Sequence, residues 1–135
     1  MFTRLTDKIA VEEGAVFSPK FDDRGLIPVV TTCADHGGVL MQAWMNAEAI
    51  MKTLETGEAH YFSRSRQALW HKGATSGEIQ TVISLKADCD QDSLWLEVKQ
   101  QGGGCCHVGY PSCFYRTAIL DDRGQVVLRT ILDKK

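Results

Sequence analysis

The chain has 135 residues, 44% of them hydrophobic and 24% charged, which suits one folded domain and excludes a disordered, charge-rich tail. Fifteen Lys and Arg against 17 Asp and Glu give a formal charge of −2. That balance argues against a broad basic face for nucleic acid but leaves room for a small phosphorylated ligand held by a few local cations. No apolar run approaches the roughly 20 residues of a bilayer span. The opening segment, with Asp7, Glu12 and Glu13, also lacks a signal peptide's apolar core, so a cytoplasmic protein with no membrane partner is expected.

In chain order, Thr3–Glu13 reads as a short helix with Leu5 and Ile9 on its buried side. Asp22-Asp23-Arg24-Gly25 is a turn. Leu26–Cys33 and Val39–Met45, joined across His36-Gly37-Gly38, form a hairpin, with Pro28 marking a sheet edge or a strand opening. Asn46 is the N-cap of a helix over Ala47–Thr56, with Ile50 and Leu54 on one face and Gly57 as its left-handed stop. Ala59–Ser63 is a strand. In Ile79–Ala87, Ile79, Thr81, Ile83 and Leu85 share one face, and Leu94–Val98 is its antiparallel neighbour. Phe114–Leu120 and Gln125–Leu132 flank a second Asp-Asp-Arg-Gly turn at 121–124. Many short strands with one or two short helices predict a single α+β domain, largely antiparallel.

Three stretches carry chemistry. In Asp88-Cys89-Asp90-Gln91-Asp92, three carboxylates at alternate positions of an extended chain repel one another unless a hard cation such as Mg²⁺ sits among them. A solvated acidic turn is the plain alternative. An EF-hand is excluded, because Ser93 and Lys99 stand where it needs Gly and Glu. If the segment is extended, Cys89 points away from the aspartates, which favours two metals on two sides and allows Cys89 to reach a site completed by another subunit.

The second stretch is Gly102-Gly103-Gly104-Cys105-Cys106-His107 with Cys113. The cysteine count of five is odd, which in a reducing compartment speaks for thiols or metal ligands rather than disulfides. Thiolate and imidazole are preferred zinc ligands, and the spacing suits three ligands with an open position better than a structural ribbon with two Cys-x-x-Cys pairs. Inert buried thiols are the alternative. The third stretch is Ser63-Arg64-Ser65-Arg66, Trp70-His71-Lys72-Gly73 and Thr75-Ser76-Gly77, whose cations, hydroxyls and glycines can grip phosphate.

Together with Gly25-Leu26-Ile27-Pro28, Met41-Gln42-Ala43-Trp44-Met45-Asn46, Cys106-His107-Val108-Gly109 and Ser112-Cys113-Phe114-Tyr115-Arg116, these motifs run in an order that resembles the phosphoribosyl-AMP cyclohydrolases of histidine biosynthesis. The resemblance covers most of residues 20–117. It implies hydrolytic opening of the adenine ring of phosphoribosyl-AMP between N1 and C6, in an intertwined homodimer carrying one zinc and one magnesium per subunit. By the same resemblance Cys89, Cys106 and Cys113 are the zinc ligands, with Cys89 supplied across the dimer, and Asp88, Asp90 and Asp92 the magnesium ligands. His107 is the candidate to take a proton from the attacking water or to orient a ligand. Arg64, Arg66, His71, Lys72, Thr75 and Ser76 are expected to bind the substrate. Cys105 departs from the family, which usually has a small residue there, and could compete with Cys106 for zinc. Some relatives carry a fused pyrophosphohydrolase domain; only the cyclohydrolase step is expected of this chain. Two rivals differ in class. A zinc-stapled binding module would consume no substrate. A zinc deaminase would need a Pro-Cys-x-x-Cys signature, which Pro111-Ser112-Cys113 does not complete.

Overall fold

A computed structural model describes residues 2–135. The helices α1 (Lys8–Glu13) and α2 (Ala47–Thr56) accompany eight strands. These are β1 (Ile27–Cys33), β2 (Val39–Met45), β3 (His60–Ser63), β4 (Ala68–His71), β5 (Gln80–Ala87), β6 (Leu94–Gln100), β7 (Arg116–Leu120) and β8 (Val126–Thr130). The expected α+β, mainly antiparallel domain is the architecture found.

A four-stranded sheet in the order β2-β1-β6-β5 forms the centre, with β1 and β6 parallel and the outer pairs antiparallel. Alternation along β1 and β6 places Ile27, Val29, Leu94, Leu96 and Val98 in the core, each at most 1% exposed. Each such side chain contributes about 1.5–3 kcal/mol by leaving water. Pro28 is tolerated in a central strand because pairing to β6 begins only at Val29, so its missing N–H breaks no bond on that side.

Helix α2 matches its sequence signals. The Asn46 side chain accepts from the Ala49 N–H at 2.8 Å, and Gly57 closes the helix at φ 73°. Its buried face differs from the expected one: Ile50 is buried with Ala49 and Thr53, while Leu54 is 52% exposed. The Thr53 hydroxyl accepts from the His60 N–H at 2.9 Å and so ties the helix to β3, which turns Leu54 outward. The first helix is shorter than expected, because the Asp7 carboxylate caps it through the Ala10 N–H; Ile9 is 67% exposed rather than buried. In β5 the register shifts between Val82 and Ser84, so Ile83 bulges outward and Gln80, Val82 and Leu85 face the core. Strand β4 was not expected. It pairs with β3 as a hairpin whose turn includes Gln67 at φ 52°. The last two strands, β7 and β8, pair only with each other and stand clear of the main sheet.

Candidate active site and metal centres

The register of the central sheet separates the two cysteine-bearing regions. Residues 88–93 join β5 to β6 beside the start of β1, whereas the loop after Gln100 leaves from the opposite end. Seven residues of β6, an extended run of about 20 Å, lie between the loop that carries Cys89 and the start of the loop that leads to Cys106.

The acidic segment is a turn rather than the extended chain that alternate spacing suggests, because Gln91 adopts φ 58°. Gln91 is buried. Its amide accepts from the Ser18 N–H at 2.7 Å and donates to the Val11 and Val16 carbonyls, latching the N-terminal arm. With Gln91 turned inward, the carboxylates of Asp88, Asp90 and Asp92 lie exposed with ligand oxygens within 4.8 Å of one another. Asp92 is raised to about 6, first by its hydrogen bond with Asp90, while Asp90 is lowered, first by that same bond. A donor set of three closely spaced carboxylates fits a hard divalent cation. Arg4, Lys8 and Lys20 line an adjoining cavity of about 280 Å³ with Asp90, a cationic neighbourhood that no motif announced.

At the other end, the chain turns sharply at Gly104, where an added Cβ would lie 2.3 Å from the Pro111 Cα. Only glycine lets the loop fold back so closely. The fold brings the Cys105 and Cys113 sulfurs to 3.9 Å, and Cys106 lies close enough to influence Cys113. Backbone bonds fix the loop: the Cys113 N–H donates to the Leu40 carbonyl at 2.7 Å, and the Ser112 hydroxyl donates to the Val39 carbonyl at 2.7 Å. Sharing a hydrogen bond with Cys105, first of all, and then burial, pushes the Cys113 thiol up; accepting that bond draws Cys105 down. Converging thiols of this kind fit zinc. Cys106 and Cys113 are brought together within the protomer, and Cys89 is not.

Beside the cysteine loop lies a cavity of about 510 Å³. Of the residues expected to bind substrate, Arg66, His71, Lys72, Thr75 and Ser76 line it, together with His107 and Cys105. Arg64 is not in its wall; its guanidinium lies 4.9 Å from the Trp44 ring centroid. His71 Nε2 pairs with Glu58 Oε1 at 2.7 Å, and the His71 ring stacks on that of His60 at 4.3 Å. Glu58 lies thirteen residues from His71 in sequence, and only the β3–β4 pairing brings them together, so no linear motif marks it.

Against known proteins, residues 41–115 match the family described as Phosphoribosyl-AMP cyclohydrolase. A protein of that name from Mesorhizobium japonicum is 58% identical over 124 residues, 90% of this chain and 81% of that protein. The chain belongs to the phosphoribosyl-AMP cyclohydrolase family. A cyclohydrolase of the same name from Caulobacter sp. is 55% identical over 117 residues, 86% of this chain and 87% of that protein. One from Brucella canis is 54% identical over 129 residues, 95% of this chain and 92% of that protein. Membership makes the chain an enzyme. Among the described residues no helix is long and apolar enough to cross a membrane.

Proposed function

We propose that this cyclohydrolase adds water to C6 of the adenine ring of phosphoribosyl-AMP and breaks the N1–C6 bond, a step of histidine biosynthesis in the cytoplasm. The observation that carries the reading is the meeting of the cysteine loop with the Arg66–Ser76 segment on one cavity of about 510 Å³. A phosphorylated nucleotide needs cations and hydroxyls, and water activation needs a Lewis acid; the two sets of residues stand side by side there.

Cys106 and Cys113 would hold zinc from one protomer and Cys89 from a second copy, because β6 keeps a protomer's own Cys89 too far away. When bound, zinc supplies Lewis acidity that lowers the pKa of a coordinated water towards neutrality. His107 faces the cavity and takes a proton from the attacking water, or steadies it. The added oxygen then becomes a carboxamide carbonyl at C6, which keeps its exocyclic nitrogen, as the N1–C6 bond breaks and N1 departs with a proton. Arg66, Thr75 and Ser76 grip a phosphate, and His71, braced by Glu58, borders the purine site. Asp88, Asp90 and Asp92 would hold magnesium and help to place the charged sugar tail. The shared zinc requires a homodimer. The paired strands β7 and β8 support one, since a two-stranded ribbon with apolar residues in water is marginal alone.

The test is an ultraviolet assay on phosphoribosyl-AMP beside anaerobic metal analysis. The unaltered protein consumes the substrate without releasing ammonia, which excludes deamination. Cys113→Ser loses zinc and about 100-fold or more of the turnover. Retention of both zinc and full turnover in that variant would overturn the assignment. Asp90→Asn raises the magnesium requirement; an unchanged magnesium requirement and KM would leave the carboxylates a plain acidic turn.

A further inference from the structure

Lys72 is charged, yet only 6% exposed. Its ammonium donates to the Cys105 carbonyl at 2.9 Å and sits 5.4 Å from the Trp70 ring centroid. Among the described residues no carboxylate lies within 4.0 Å of it. Glu78, the carboxylate in the same cavity wall, is engaged by Lys135. Burying an ammonium with one neutral carbonyl and one ring face is costly unless a fixed anion lies close by. The phosphate-gripping candidates Arg66, Thr75 and Ser76 are exposed, as groups that meet a solvated ligand need to be.

The cysteine loop, whose Cys105 carbonyl Lys72 already bonds, is where such an anion would form. Three thiolates around a divalent zinc would leave one net negative charge, and Lys72 is the buried lysine in contact with that loop. We infer that Lys72 is the counter-charge of the thiolate metal site, a positioning residue that favours zinc binding by Cys106 and Cys113, rather than a clamp for a substrate phosphate. The inference rests on the zinc assignment proposed above. Neutralising the surplus charge also keeps the metal a stronger Lewis acid than three thiolates alone would leave it. A cation at this place serves the metal before any substrate arrives.

The experiment measures zinc affinity of the full-length protein by competition with a chromogenic chelator, alongside KM and kcat on phosphoribosyl-AMP. Lys72→Met removes charge and hydrogen bond. Lys72→Gln keeps a donor for the Cys105 carbonyl and removes only the charge, which covers the case of a methionine variant that fails to fold. Both weaken zinc by about tenfold or more while KM stays within about threefold, and Lys72→Arg, which keeps the charge, weakens it less. Zinc affinity within about twofold of the unaltered protein overturns the inference, whether KM rises about tenfold, as for a phosphate clamp, or stays level, as for a purely structural lysine. An unaltered protein that binds no zinc overturns this inference and the proposed metal centre together. One that binds zinc and turns over substrate, with variants that bind it equally well, overturns the inference alone.

Discussion

The tetrapeptide Asp-Asp-Arg-Gly builds the same turn twice. Asp22 Oδ1 accepts from the N–H groups of Arg24 and Leu26 at 2.8 and 2.9 Å; Asp121 Oδ1 accepts from those of Arg123 and Gln125, both at 2.9 Å. Gly25 and Gly124 both stand at φ 76°. The strands that follow have opposite fates. Turn 22–25 feeds β1, whose Ile27 and Val29 are fully buried. Turn 121–124 feeds β8, whose Val126 and Leu128 are 70% and 55% exposed. Turn geometry is therefore a local property, while burial depends on what stands opposite the strand. Across the β7–β8 register, Leu120 pairs with Val126 and Ala118 with Leu128, so one face of the ribbon is apolar next to the turn, with Arg116 and Thr130 paired at its far end. That face has the composition of a core without the partner that would make it one, and a second copy of the chain is the partner proposed.

Substitutions can break this contrast at several strengths. Leu96→Ala in the fully buried sheet should cost about 2–5 kcal/mol, read from urea unfolding, because a cavity replaces the isobutyl group. A loss under about 0.5 kcal/mol would mean that the sheet is not the core described. Leu128→Asp on the exposed ribbon should leave a lone protomer's stability within about 0.5 kcal/mol but weaken dimer association by about tenfold or more in sedimentation. Zinc content should fall with it, since Cys89 then loses its route to the shared site. An unaltered dimer would remove the ribbon from the interface.

The two glycines sharpen the comparison. Gly25→Ala and Gly124→Ala each place a Cβ in open space, so only the left-handed backbone is penalised, at about 1 kcal/mol each. Costs that differ widely in thermal unfolding would show that one turn is held by tertiary contacts after all. The smallest effect concerns acid. Asp22 is held below its ordinary value of 3.8, first by the Leu26 N–H. Its contribution is therefore present above that value and lost as pH falls through the lower folded one. Asp22→Asn should flatten slightly the acid limb of the unfolding profile, and an unchanged limb would remove the carboxylate's role.

Sequence and structure divide the active site unevenly. The Ser63–Gly77 motifs, the cysteine loop and the aspartate cluster are readable in the chain, because metal-ligating and phosphate-gripping residues are chemically distinctive and close together in sequence. The clustering of Asp88, Asp90 and Asp92 came out as expected, yet through a turn with Gln91 buried rather than through an extended strand. Glu58 beside His71, and the inward turn of Lys72, carry no linear signal; both arise from the β3–β4 pairing and the loop packed over it.

Local chemistry alone determined the α2 caps, both aspartate turns and the alternation of β1, β2 and β6, since each depends on residues within a few positions of one another. The outward bulge at Ile83, the exposure of Leu54 and Ile9, and the meeting of Cys105 with Cys113 were decided only when distant segments packed. A period in the sequence says that a strand or helix has two sides; which side meets the core, and how far apart two loops come to rest, is set by what lies across from them.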